Sequence, residues 1–272
     1  MSRDRVLQKH FRTIAFLGVI LLTPIFSLAT DSANNSAAES NESSSLEWDW
    51  RWFFAAAATT MAHGLDDPIY DGFGNINRTP TLDRSMHLSE RYGGLVAPTV
   101  GFLSFPIIWA IGANHENRWY LRSQKIFASV ASYTILATTL KFIAGRHRPY
   151  QGGDSTAGSP FSTKYSSFPS GHTGTAFAFS TSLAMEFDSY FIKIPLFAAA
   201  ALTGFSRMYD NKHWFSDTVA ATFLGCFAAF YSENYFGPST IQQRDQKQEA
   251  RWQLFPSISH NQMTTTLVGK FF

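Results

Sequence analysis

From residue 48 onward, apolar positions come in long runs rich in Ala, Leu, Phe and Ile, with little period-two alternation before the C-terminus. Runs of this kind predict helices. We place them at about 47–63, 94–113, 123–147, 171–187, 193–208 and 214–232: six helices with short connections, an all-α bundle. Residues 66–84 and 150–168 carry Gly, Pro, Asn, Asp, Ser and Thr at turn-like density and are predicted loops. Beyond Gly237-Pro238 a charged stretch precedes two β-prone segments, 251–258 and 263–272. They flank His260-Asn261-Gln262, and a short hairpin is expected there.

The first residues follow another pattern. Residues 1–12 are basic, 14–28 are apolar apart from Thr23, Pro24 and Ser27, and Ser27-Leu28-Ala29 has the small-x-small form of a cleavage site. This reads as a signal peptide over 1–29. An uncleaved anchor helix competes with that reading, but about 15 apolar residues fall short of the roughly 20 a span needs. Residues 30–47, mostly Ser, Asn, Ala, Glu and Asp, have little to bury and form a flexible linker. The expected organisation is therefore leader 1–29, linker 30–47, helical domain 48–236 and tail 237–272, with the body exported from the cytoplasm.

Composition narrows the function. With 45% hydrophobic and 15% charged residues the chain can bury a sizeable core. Its net charge of +2 includes four basic residues and one acidic residue in the leader, which leaves 18 basic against 19 acidic side chains elsewhere. Attraction to nucleic acid by bulk charge is disfavoured. Cys226, the single cysteine, excludes an intrachain disulfide and sits in an apolar run as a small buried hydrophobe. His63, His87, His115 and His260 lack metal-ligand spacing, and Asp66, Asp67 and Asp71 do not match a calcium loop. Neither metal nor cofactor is expected. Trp48, Trp50 and Trp52 fit either an interfacial aromatic belt or the start of a core helix. Residues 94–113 are uncharged and 126–144 carry only Lys141, both of span length, whereas the last three helices have apolar runs of about 12–16 residues. Membrane-embedded and soluble forms both stay open.

Three polar clusters interrupt the apolar helices. In the first, Lys141 and Arg148 are seven apart, two helical turns, and Pro149 places Arg148 at the helix exit. Two cations there are either snorkelling side chains or an anion site. The second, Pro169-Ser170-Gly171-His172, opens a helix whose unpaired N–H groups and dipole suit a phosphate, although Ser170 also suits a simple N-cap. The third runs from Ser206-Arg207 to His213 and Asp217. If the chain is helical from His213, this is an i, i+4 pair in which the carboxylate orients the imidazole. A helix running out from His172 and another returning to Arg207, each roughly 24 Å long, would bring the clusters to one end.

Together the clusters resemble the signature of the type 2 phosphatidic acid phosphatase (PAP2) and vanadium haloperoxidase superfamily, Lys-x6-Arg-Pro, Pro-Ser-Gly-His and Ser-Arg-x5-His-x3-Asp, with no departure at any specified position. The resemblance is strong over 141–217. It implies a PAP2-like helical bundle that hydrolyses a phosphate monoester or diphosphate, without a metal, through a phosphohistidine. By implication Lys141, Arg148 and Arg207 neutralise the phosphoryl oxygens, and Ser170 and the Gly171 N–H complete the cradle. His213 attacks phosphorus, Asp217 holds its tautomer, and a protonated His172 serves the leaving oxygen. Arg146 and His147, outside the signature, are expected at the rim, and Tyr150, Phe161 and Tyr165 either pack the loop or meet the leaving group. The substrate is expected to be a lipid phosphate at an envelope membrane, with a soluble periplasmic acid phosphatase as the alternative. A haloperoxidase is disfavoured by chain length, and a non-catalytic anion binder by the unbroken signature. The oligomeric state is not legible.

Overall fold

The computed structural model describes residues 50–113, 117–187, 189–236, 257–259 and 262–264. The leader, the linker, Trp48, His115 and His260 lie outside the described residues. The described helices are α1 (Trp50–His63), α2 (Asp66–Gly74), α3 (Pro80–Arg91), α4 (Ala97–Ala110), α5 (Arg118–Ala144), α6 (Gly171–Ala184), α7 (Tyr190–Tyr209) and α8 (Phe215–Phe236). A π turn, Tyr92–Val96, joins α3 to α4, and a 3₁₀ turn, Pro149–Gln151, follows α5. The fold is all-α, as expected.

Residues 66–84 differ from the predicted loop. They hold α2 and the start of α3. The Gly, Pro, Asn and Asp that suggested turns sit largely at helix ends. Asp66 and Asp67 occupy the first turn of α2, where the dipole favours them. Thr79 caps α3 by accepting the Leu82 N–H at 3.3 Å, with Pro80 in the first helical turn.

Helix α6 is the centre of the bundle. Residues 173–182 are all buried, and the helix packs against α5, α7 and α8. A helix buried all round shows no amphipathic stripe, and this one is built of Ala, Phe, Gly, Ser and Thr. Its glycine sets the packing distance: a Cβ at Gly174 would lie 1.8 Å from Tyr133 Cζ, and one at Gly225 would lie 2.4 Å from the Gly174 carbonyl oxygen. Gly174→Ala is therefore expected to cost about 3 kcal/mol through overpacking, read as a lower Tm in detergent micelles. An unchanged Tm would contradict this packing. Cys226 is buried here, with its thiol 3.4 Å from Thr181 Oγ1. Elsewhere in the bundle, Lys125 bridges Glu186 (2.5 Å) and Glu233 (3.0 Å), while Arg122 pairs with Glu186 at 2.8 Å.

Three helical segments among the described residues are long and apolar enough to cross a membrane by length and composition: Pro80–Ala110, Arg118–Ala144 and Tyr190–Tyr209. The third was expected to be too short. It begins at Tyr190 and runs through Pro195 without a break, which lengthens it to 20 residues. Leu103, Ile107, Trp109, Ile135, Phe191 and Ile194 on these segments are exposed.

The segment 237–272 forms a unit of its own. Within it, β1 (Ser257–Ser259) pairs antiparallel with β2 (Gln262–Thr264), Ile258 opposite Met263.

Candidate active site

Lys141 stands one turn before the end of α5. Gly145 ends that helix in the left-handed region (φ 51°), its N–H bonded to the Lys141 carbonyl at 3.0 Å. Only glycine fits, because a Cβ would lie 1.8 Å from the Ser159 carbonyl oxygen. The chain thus leaves the helix three residues before the predicted end, and Arg148 lies in the loop rather than on a shared helix face with Lys141. The loop folds back through His147 N–H to Ala157 O (3.0 Å), Ser159 N–H to Gly145 O (2.8 Å) and Ser167 N–H to Arg146 O (3.0 Å). Lys141 Nζ donates to the carbonyls of Ser166 (2.7 Å) and Pro169 (2.5 Å), and Arg148 Nη2 donates to Ser166 Oγ at 3.3 Å. Both cations are thereby fixed beside the start of α6.

Ser170 occupies the N-cap position of α6, but its hydroxyl pairs with Thr173 Oγ1 at 2.8 Å and caps no backbone N–H. Its backbone is held on both sides, its N–H donating to Asp217 O (3.1 Å) and its carbonyl accepting from Tyr133 OH (2.7 Å). The first N–H groups of α6, from Gly171 onward, have no intrahelical acceptor, and the dipole adds positive potential there. Gly171 lies against Lys141, whose Cε would be 3.8 Å from a Cβ at that position.

His172 rests on the π turn. A Cβ at Gly94 would lie 2.5 Å from its ring atoms Cδ2 and Nε2, and one at Gly93 would lie 2.4 Å from its carbonyl oxygen. Glu90 Oε1 is 3.9 Å from His172 Nε2 and accepts a hydrogen bond from Arg207 Nη1. Burial holds the His172 imidazole down to about 4, assisted by Arg207, Arg148 and Lys141 and opposed by Glu90. With the protein's own charges alone this histidine is neutral near pH 7, in contrast to the expected protonated form.

Arg207 closes α7 and is buried. Its carbonyl accepts the N–H groups of Lys212 (2.9 Å) and His213 (3.3 Å), a turn that sets His213 down ahead of α8. His213 therefore precedes the helix rather than lying on it. Its Nδ1 is 3.6 Å from Asp217 Oδ2, which is an electrostatic contact rather than a hydrogen bond. Both side chains are buried. Burial pushes the His213 imidazole down to about 4; Asp217 opposes this, and Lys141 and Arg148 add to it.

Asp217 is the most firmly held group. Its Oδ2 accepts from Ser167 Oγ (2.5 Å) and from the Trp214 N–H (2.9 Å), and its Oδ1 accepts from Arg146 Nη1 (2.6 Å). Burial works against the carboxylate, but His213, Arg146 and Ser167 outweigh it and hold Asp217 below the usual carboxylate range.

The eight residues expected in the site lie at helix ends and in the turns beside them, and the contacts above link these segments around the start of α6. The structure corrects the reading of their neighbours. Arg146 is no rim residue: it donates to Asp66 Oδ2 (2.7 Å) as well as to Asp217. His147 stacks on Tyr165, with ring centroids 3.7 Å apart. Phe161 packs on Phe142, whereas Tyr150 is exposed, with Lys212 Nζ 4.8 Å from its ring centre. Glu90, Ser167 and the Gly93-Gly94 pair were not singled out, and Asp66 was weighed only as a calcium ligand. The glycine pair inside an apolar run was a legible signal; a lone acid at a helix start was not. Among the described residues, no group of three or more His, Cys, Asp or Glu is arranged to hold a metal ion.

Comparison with known proteins bears on the same segment. Residues 124–241 match the PAP2 superfamily model. A lipid A 1-phosphatase of Rhizobium etli is 35% identical over 104 residues, 37% of this chain and 44% of that protein. A lipid A 1-phosphatase of Porphyromonas gingivalis is 38% identical over 68 residues, 24% of this chain and 15% of that protein. The chain thus spans less than half the length of these curated relatives. Among solved structures, Aquifex aeolicus LpxE aligns with a TM-score of 0.49 at 23% identity, covering 63% of this chain and 96% of that one. A PAP2 type phosphatidylglycerolphosphate phosphatase from Bacillus subtilis aligns with a TM-score of 0.49 at 24% identity, covering 68% and 92%. The matched segment, residues 124–241, holds all three signature clusters, and over that segment the chain is similar to the PAP2 superfamily.

Proposed function

We propose that the protein is a membrane-embedded phosphatase of the cell envelope that hydrolyses a lipid phosphate or diphosphate through a phosphohistidine. The observation that carries the reading is that Lys141 and Arg148 are fixed on Pro169 and Ser166 at the opening of α6, Glu90 lies between Arg207 and His172, and the Ser170 N–H ties the same opening to Asp217 beside His213. Three cations and the opening of α6 around two imidazoles form an anion site with a nucleophile and an acid built in.

Lys141, Arg148, Arg207, Ser170 and the Gly171 N–H bind the phosphoryl oxygens and spread their charge. His213 presents Nε2 to phosphorus while Asp217, beside Nδ1, keeps the proton on that nitrogen. The Nε2–P bond forms as the bond to the leaving oxygen breaks, and His172 gives that oxygen its proton. A phosphoryl dianion offsets the cations around His172 and raises its affinity for the proton it donates. In the second half His172 takes a proton from water, the hydroxide oxygen bonds phosphorus, and the Nε2–P bond breaks to release inorganic phosphate.

A lipid substrate is supported by the three span-length apolar segments and by the lipid A 1-phosphatases among the relatives. The exposed apolar side chains of these segments suit contact with acyl chains. The test is phosphate release by purified protein from lipid A, phosphatidate, polyprenyl diphosphate and an aryl phosphate in detergent micelles. A lipid is expected to be preferred, with inhibition by orthovanadate and none by EDTA. Loss of activity in EDTA that returns with Mg²⁺ would contradict the mechanism, and a preference for the aryl phosphate would contradict the substrate class.

A further inference from the structure

Arg146 lies outside the signature and yet sits between two buried carboxylates. Its Nη1 donates to Asp217 Oδ1 (2.6 Å) and Ser216 Oγ (2.8 Å), and its Nη2 to Asp66 Oδ2 (2.7 Å). Its Nε and Nη2 also reach the Ser155 carbonyl, at 2.9 and 2.7 Å. Ser155 is itself tied to α2, its hydroxyl donating to Asp67 at 3.0 Å.

Asp66 does a second thing. Its Oδ1 accepts the Ser216 N–H and its Oδ2 the Ser216 hydroxyl, both at 2.7 Å. Ser216 is in the first turn of α8, and Trp214, which precedes the helix, has no side-chain oxygen with which to cap it. Asp66 therefore caps α8 from another helix, and His63 Nδ1, at the end of α1, lies 2.8 Å from Asp66 Oδ2 and 3.0 Å from Arg146 Nη2. Helix α2 lies outside the matched segment 124–241 and still reaches the turn that carries Asp217.

We propose that Arg146, braced by Asp66, is the positioning residue of the His213–Asp217 pair: it aims the Asp217 carboxylate and offsets its charge, so that Asp217 orients His213 without drawing a second proton onto it. The inference rests on His213 being the nucleophile. Around His213 stand Asp217 on α8, Lys141 on α5, Arg148 beyond it, Arg207 on α7, and Asp66 on α2, which lines the same small cavity. Removing the Arg146 charge leaves Asp217 free to stabilise the imidazolium. Removing the Asp66 charge acts in the opposite direction, since it frees Arg146 for Asp217 and takes an anion from beside the ring. A residue that only stapled the loop to α8 would give no such opposition of sign.

The test uses the full chain in micelles with Arg146→Met, Arg146→Lys and Asp66→Asn. Two readouts are followed: the pH profile of phosphate release and the titration of His213 in ¹⁵N-histidine-labelled protein, its signal identified by its loss in His213→Ala. Arg146→Met is expected to move the acid limb and the His213 titration upward by about one unit, about a tenfold loss of kcat below the limb, while KM stays within about twofold. Arg146→Lys restores the wild-type limb, and Asp66→Asn moves it down. Loss of activity in Arg146→Met and Asp66→Asn with no displacement of either readout would overturn the inference. If Arg146→Met does not fold, Arg146→Lys and the near-isosteric Asp66→Asn decide by sign. If the wild type releases no phosphate from any substrate, the proposed function fails, and the His213 titration still decides the positioning claim.

Discussion

Replacing His213 by alanine is expected to abolish phosphate release, with kcat falling by about four orders of magnitude or more, because the proposed mechanism loses its nucleophile. The fold is expected to survive. His213 Nδ1 is a buried polar atom with no hydrogen-bond partner among the described residues, so its removal deletes no hydrogen bond and relieves a desolvated group. The variant is also expected to resist acid better. In the wild type, His172 and His213 bind protons in the folded state only near pH 4, whereas in the unfolded chain they do so near the ordinary value of 6.5. Between those values the unfolded state holds more protons, so stability is full above the higher pH and is lost as the pH falls through the window. His213→Ala removes one of the two contributions, which thermal unfolding from pH 7 to pH 4 measures. Near-normal turnover in this variant would remove His213 from the role assigned to it.

The second large effect is expected at a position with no chemistry of its own. Gly94→Ala places a methyl group where the His172 ring now lies, 2.5 Å from Cδ2 and Nε2. The π turn cannot retreat freely, because the neighbouring Gly93 is packed equally closely on the His172 backbone and on Thr203. The ring must rotate, which would break the alignment with the leaving oxygen that the proposed mechanism requires of it. A displacement of about 1 Å in such a group costs about 100-fold in rate. Kinetics of Gly94→Ala are expected to show that loss in kcat with KM little changed, since the atoms nearest a Cβ at position 94 all belong to His172 and not to the three cations proposed to bind phosphate. A kcat within about twofold of wild type would show that His172 does not act from its place on the π turn.

These two cases mark how far the sequence could be read. His213, Asp217, Arg207, His172 and Lys141 were legible because their spacing repeats a known signature, and the long apolar runs made the helices visible. The reading of geometry from periodicity failed where a turn intervened. Gly145 ends α5 before Arg148, and α8 begins only at Phe215, so neither presumed helical pair lies on one helix. Helices α2 and α3 were hidden because capping residues have the composition of loops. Asp66, Glu90 and Arg146 owe their importance to partners distant in sequence: Asp66 meets Ser216, Glu90 meets Arg207, and Arg146 meets Asp66. No local pattern carries such information. Arg146 is shared by α2, through Asp66, and α8, through Ser216 and Asp217, and this sharing is what the proposal for Arg146 rests on.

Rapid quenching into alkaline detergent with ³²P-labelled lipid phosphate, followed by peptide mapping at alkaline pH, asks whether the phosphoryl group ever rests on the chain. The account expects acid-labile, base-stable label on His213 in the wild type, on a timescale faster than turnover, and none in His213→Ala. Turnover by the wild type without label at any stage, or label on a different residue, would contradict it.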